Sequence, residues 1–276
     1  MRTLSYIVSI VGALCLAVSL VAAGFFACAF PATTRLFSTQ FSAFEQSPYL
    51  PEKLTDLALA TRNFTVDPYT EGQDTAEDTL AQNVVVAAIS SSAQNSAKAN
   101  RWQGIIETSI SHEDLSSIDC KKLMQDLARK DTSYALDADA VQHLADANAL
   151  ITKTIPVLIA CILGCLLCII VLMSTKQRTA LGAMLLWPAA LLLIAFGIAG
   201  AWAAFDFTGF FSAFHAVFFP QGNWIFPYDS LLISMYPQAF WVAMGALWLV
   251  VTALAAIMCI VVGKRLKRST GLHARS

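Results

Sequence analysis

Four long apolar segments constrain this chain more than any other feature. They run near Leu4 to Phe30, Ile155 to Met173, Ala180 to Ala204 and Phe240 to Val262, and none contains Asp, Glu, Lys or Arg. At about 1.5 Å of helical rise per residue each is long enough to cross roughly 30 Å of hydrocarbon. The composition agrees. The chain is 57% hydrophobic and 13% charged, against about 45–50% and about 25% in soluble domains. The expected fold is an all-α membrane protein: four transmembrane helices, with a small helical extracytoplasmic domain between the first and second.

Charge sets the expected orientation. Arg2 precedes the first span, Lys176 and Arg178 lie in the turn between the second and third, and Lys264, Arg265, Lys267, Arg268 and Arg275 follow the fourth. Every Asp and Glu falls between Glu45 and Asp146 or at Asp206 and Asp229. Basic residues retained in the cytosol predict cytoplasmic termini and a multi-pass plasma-membrane protein. The expected division is span 1–30, extracytoplasmic domain 31–153, span 154–173, cytoplasmic turn 174–179, span 180–204, outer loop 205–239, span 240–262 and basic tail 263–276. Phe25 and Phe26 ahead of Cys28, together with the length of the first apolar run, argue for an uncleaved anchor rather than a lipoprotein signal peptide.

Within the outer domain the pattern predicts helices. Phe37, Phe41 and Phe44 recur at helical spacing and are expected along the membrane surface. Glu52 to Arg62 reads as a helix, Val66 to Thr75 as an acidic loop and Ala76 to Asn100 as a polar helix with an apolar patch at Val84 to Ile89. Ser111 reads as a helix cap, and Asp137 caps a last helix that runs into the second span past Pro156. Only Cys120 of the seven cysteines lies in this domain, so it holds no disulfide framework. Cys161, Cys165 and Cys168 share one helical face and read as small packing residues. The acidic outer face excludes nucleic acid as a partner. The motifs of phosphate loops, zinc proteases and nucleophile elbows are missing from the sequence.

The polar residues that call for chemistry lie between Phe205 and Trp241. On a helix, Phe207, Phe211, Phe214 and Phe218 share a face, and His215 falls on it. An imidazole there exchanges protons near neutral pH, although an interfacial aromatic belt alone would also explain the phenylalanines. The run Phe214-His215-Ala-Val-Phe-Phe, then Asn223-Trp224-Ile-Phe226, Asp229-Ser-Leu-Leu and Tyr236-Pro237-Gln-Ala-Phe240-Trp241 closely resembles the signature of the lipoprotein intramolecular transacylase family, integral membrane proteins of Gram-positive bacteria. The order of spans, outer domain and loop resembles it too.

The resemblance implies an enzyme that moves an acyl chain within a diacylglyceryl-modified lipoprotein. The chain passes from the sn-2 position of the glyceryl group to the amino group of the N-terminal Cys. Diacylglyceryl lipoproteins and membrane lipids are the implied partners, and no metal or organic cofactor is implied. His215 is the implied catalytic base and acid, with Asn223, Trp224, Tyr228 and Asp229 orienting it or lining the pocket. The family carries a second His in a stretch like HMxDVK. The corresponding stretch here is read as Ser116-Ser-Ile-Asp119-Cys-Lys121, in which Asp119 and Lys121 match and Ser116 stands in the place of the His. His112 and His143 are expected as solvated helix residues, and His273 carries no role. The absent second His and the acidic cap motivate an alternative: a non-catalytic four-span sensor or assembly protein.

Overall fold

Each long uncharged segment becomes a helix that outruns its apolar part. In the computed structural model, which describes residues 2–94 and 119–273, with side chains over 3–91 and 119–268, the helices are α1 (Arg2–Ala29), α2 (Pro31–Phe41), α3 (Pro51–Val66), α4 (Gln73–Gln94), α5 (Cys120–Lys130), α6 (Ala138–Ser174), α7 (Arg178–Phe205), α8 (Phe207–Phe218), α9 (Leu231–Met235) and α10 (Gln238–His273). Four of them, α1, α6, α7 and α10, are long and apolar enough to cross a membrane. Ser111 to Ser116, with the cap expected at Ser111, lies outside the described residues.

The chain divides into two compact units. The first contains residues 1–28, 153–214 and 245–276, and so holds the apolar lengths of the four spanning helices. Its core joins Leu16, Leu20, Cys165, Cys168, Leu172, Leu181, Met184, Leu185, Ala189 and Ala256. Cys165 and Cys168 are buried there as small packing residues, and none of the seven cysteines is joined in a disulfide. Lipid supplies no hydrophobic drive between such helices, so close approach and polar bonds hold them. Gly12 lies against Met184 and Cys168, and Gly24 against Trp248 and Thr252. Trp248 Nε1 donates to the Val21 carbonyl at 3.0 Å, and Thr252 Oγ1 donates to Leu20 O at 3.3 Å.

The second unit contains residues 29–152 and 215–244. Its core is built from Leu54, Leu57, Leu80, Val84, Met124, Leu127, Leu136, Val141, Leu144, Leu231, Met235 and Phe240, among others. Phe37 and Phe41 pack against this core, and Phe37 meets Phe240 edge-on at 6.4 Å. They therefore face protein, correcting the expectation of a membrane-surface stripe; a neighbouring α3 offers that face more buried contact than a headgroup layer would. Phe44 falls beyond α2 and is exposed. Asp137 caps α6 as expected, accepting from Ala140 N at 2.8 Å. Asn148, 3% exposed on α6, bonds three carbonyls at the end of α3, namely Phe64, Thr65 and Asp67. That bond set fixes the first part of α6 against α3 within this unit.

Candidate functional site

The site grows from two pieces of the second unit that lie far apart in sequence. One is the first part of α6. Its inward face buries Val141, Leu144, Ala145 and Asn148, which places Gln142, His143 and Asp146 at the edge of that face. The other is the end of α8 and the turn that follows. α8 stops at Phe218. The next residue folds back so that Phe219 N donates to His215 O at 2.6 Å, and Gly222 N closes a turn on Phe219 O at 3.2 Å. Gly222 sits at φ 81°, in the left-handed region where a side chain is strained.

This turn puts two imidazoles together. The His143 and His215 ring centroids are 5.8 Å apart with planes tilted by 34°. Trp224 stacks on His215 at 5.0 Å, while Phe219 meets His143 edge-on at 4.7 Å and Phe226 lies 5.9 Å from it. His215 is 9% exposed and Phe219 6%. Phe219, just past the end of the helix, lies 5.7 Å from the His215 ring. Phe218, expected on the same greasy face, is exposed, as is Phe214. The reason is local: the helix ends before residue 219, and the fold-back swings that ring across the imidazole.

Asp146 ties the two pieces to each other. Its Oδ2 accepts from Gln221 Nε2 at 2.8 Å and Asn223 Nδ2 at 3.1 Å, and its Oδ1 accepts from Gln142 Nε2 at 2.8 Å. Burial alone would raise its pKa, but those amide donors and His143 outweigh it and hold the carboxyl below its ordinary value. His143 lies about three helical turns before the uncharged apolar part of α6. Burial pushes its imidazole down to about 4, with His215 adding to the shift and Asp146 and Asn223 opposing it. His143 is thus a neutral imidazole at pH 7. Its half-buried place beside His215 corrects the expectation that it is solvated.

The remaining sequence candidates fall elsewhere in the unit. Asn223 and Trp224 join the imidazole pair as described. Tyr228 is 75% exposed and Asp229 is exposed as well; the cap of α9 is Ser230, whose Oγ accepts from Ile233 N at 3.4 Å. Asp119 caps α5 by accepting from Lys122 N at 3.0 Å. Lys121 pairs with Asp78 at 3.2 Å and Asp74 at 3.9 Å on α4. Ser116 lies outside the described residues.

His143 and Asp146 were the residues that sequence reasoning missed. The signal for them was present: His143-Leu-Ala-Asp146 repeats the His-x-x-Asp spacing of the family's HMxDVK stretch, with Leu144 in place of Met. The stretch Ser116–Lys121 matches the Asp and Lys of that motif but lacks its His.

A pair of imidazoles, one buried and one half-buried, walled by aromatic rings in a protein whose described residues are helical and include four helices long and apolar enough to cross a membrane, defines a multi-pass membrane protein with a candidate site in its second unit. The comparisons with known proteins give the rest. Residues 108–241 match the model of the family described as lipoprotein intramolecular transacylase Lit. The solved structure of the membrane-integral lipoprotein intramolecular transacylase Lit from Bacillus cereus is similar over 99% of this chain and 100% of that one, with a TM-score of 0.65 and 14% identity. No curated protein matches the chain. The resemblance read from the signature therefore holds: residues 108–241 match the lipoprotein intramolecular transacylase family, and the chain has the fold of a solved member.

Proposed function

We propose that this protein is a membrane acyltransferase of lipoprotein maturation, moving an acyl chain from the sn-2 oxygen of a diacylglyceryl-modified lipoprotein to the amino group of its N-terminal Cys. The observation that carries the reading is the pairing of His143 with His215 under Trp224, inside the segment that matches the family. In the reaction the amine nitrogen attacks the ester carbonyl carbon, and the C–N bond forms as the C–O bond to the glyceryl group breaks. The amine gives up one proton and the departing glyceryl oxygen takes one up, so no water is consumed.

His215 is the residue that takes the proton and returns it to the leaving oxygen, and His143 is the neighbouring neutral imidazole that shares it. Such acid–base help contributes about 10²–10⁴-fold. Amine and ester already belong to one molecule, so holding them in register adds to the rate without a second substrate to capture. The apolar rim of the same segment supports a lipid substrate, because Val217, Ile225 and Tyr228 are each more than 70% exposed. On this reading the domain of residues 31–153 and the loop of residues 205–239 face outward and both termini face the cytosol, as the distribution of Lys and Arg favours.

A non-catalytic sensor has two motives, the absent second His and the acidic cap, and His143 beside His215 answers the first. The test is mass spectrometry of the N-terminal lipopeptide of a diacylated lipoprotein, in a host without its own N-acylating enzymes. Wild type is expected to convert the diacyl form to the N-acyl lyso form, and His215→Ala and His143→Gln to leave it unconverted. A well-inserted wild type that leaves the diacyl form untouched refutes the reading.

A further inference from the structure

Two buried polar atoms in the site have no hydrogen-bond partner, Nδ1 of His143 and Oδ1 of Asn223. They belong to neighbouring side chains: Asn223 bonds Asp146, one helical turn from His143, and its neighbour Trp224 stacks on the same His215 that faces His143; the amide also favours the protonated form of His143, as an acceptor would. Asp146 decides which way that amide points. A carboxylate only accepts, so the NH₂ of Asn223 must face it, as the 3.1 Å bond from Nδ2 to Oδ2 records. The carbonyl end of the amide is then left turned away from Asp146. Buried polar groups that can pair do so, and a protonated Nδ1 is the complement of that oxygen.

We propose that Asp146 is a positioning residue: it orients the Asn223 amide so that Oδ1 accepts the Nδ1 proton of His143, which fixes His143 as the tautomer whose free lone pair is on Nε2. The tautomer of an imidazole is set by the bond that its other nitrogen makes. Gln221 donates to the same carboxylate oxygen, so it is assigned to the fastening of the turn and not to the relay. The titratable groups that act on His143 are His215 from α8 and Asp146 from its own helix. The catalytic consequence rests on the transacylase reading, since Nε2 then becomes the nitrogen of His143 that exchanges protons during acyl transfer. The tautomer itself does not depend on that reading.

The experiment separates the two. The full chain is labelled with ¹⁵N-histidine in lipid nanodiscs, with His112 and His273 replaced by Gln, and the nitrogen shifts of His143 are read at pH 7. Acyl transfer by the same variants is measured on a diacylglyceryl lipoprotein. Wild type is expected to carry the proton on Nδ1 of His143. Asp146→Asn and Asn223→Ala are expected to mix the two tautomers and to lower kcat by about 10–100-fold with KM little changed, the usual cost of losing a partner that orients a site residue. Gln221→Ala keeps the bond between Asn223 and Asp146 and is expected to keep the Nδ1–H tautomer. The proposal is overturned if Asp146→Asn leaves the tautomer unchanged, or if Gln221→Ala mixes the tautomers as much. Should the tautomers behave as stated while no variant and no wild type transfers acyl groups, the relay stands and the transacylase reading falls.

Discussion

Replacing Asn148 with Leu removes the amide that closes the end of α3, and its cost can be worked from the contacts. Asn148 Nδ2 donates to Asp67 O at 2.7 Å and, more loosely, to Phe64 O at 3.2 Å and Thr65 O at 3.3 Å. The Phe64 carbonyl has no other route to a helical donor, because the residue four further on is Pro68 and lacks an N–H. Two N–H groups are lost with the side chain, and each buried carbonyl left dry costs about 1–3 kcal/mol. The two together come to about 2–4 kcal/mol once partial access of water to the Asp67 end is allowed for. At about 2–4 °C per kcal/mol for a unit of this size, the melting temperature should fall by about 4–16 °C.

The assay is thermal unfolding of the purified protein in detergent, followed by tryptophan fluorescence. Asn148→Asp supplies a second arm. Its carboxylate would face the same three carbonyl oxygens, so its folded pKa rises above the ordinary value of about 3.9. The penalty is therefore full at neutral pH and eases as pH falls through the raised pKa. A fall of less than about 2 °C for Asn148→Leu, or an Asn148→Asp variant indifferent to pH, refutes the reasoning.

Three further outcomes follow from the same geometry. The imidazole of His143 is pushed down to about 4 in the fold, against about 6.5 when unfolded, so the unfolded chain takes up the proton first and stability falls as pH drops from about 6.5 toward 4. His143→Gln should flatten the dependence of melting temperature on pH across that window, whereas an unaltered slope counts against a buried neutral imidazole. Gly222 has open space where a Cβ would stand but φ 81°, so Gly222→Ala should cost about 1–2 kcal/mol from backbone strain alone, read as a lower melting temperature; an unchanged one would show that the turn is not held left-handed. Ile225 and Tyr228 are each 75% exposed, so replacing both with Ser should leave the melting temperature unchanged while raising KM for a lipoprotein substrate. An unchanged KM would remove the lipid-facing role given to that rim.

Much of the candidate site was legible one residue at a time. His215, Asn223 and Trp224 stood out because polar and aromatic residues interrupt an apolar stretch in a recognisable order. His143 did not, because at the level of sequence it is one more polar residue on an amphipathic helix, and a segment about 27 residues earlier matches the Asp and Lys of the family motif. Nothing local marks Asp146 as special either, since its partners Gln221 and Asn223 lie 75 and 77 residues away. The phenylalanines of α2 mislead for a related reason, since a periodic apolar stripe states that a face is buried without saying whether lipid or protein buries it.

By itself the sequence determined that four segments form helices long and apolar enough to cross a membrane, because uncharged segments of that length leave no other way to satisfy the backbone in hydrocarbon. It determined the cap of α6 at Asp137, a bond that spans only three residues. Tertiary structure alone decided which imidazole faces His215, which end of the Asn223 amide is turned toward Asp146, and which carbonyls Asn148 serves. Those are contacts between segments separated by some 70 to 85 residues, and they depend on where α8 stops and how the turn at Gly222 folds back. Periodicity reports which face of a helix is buried, and only packing chooses what it is buried against.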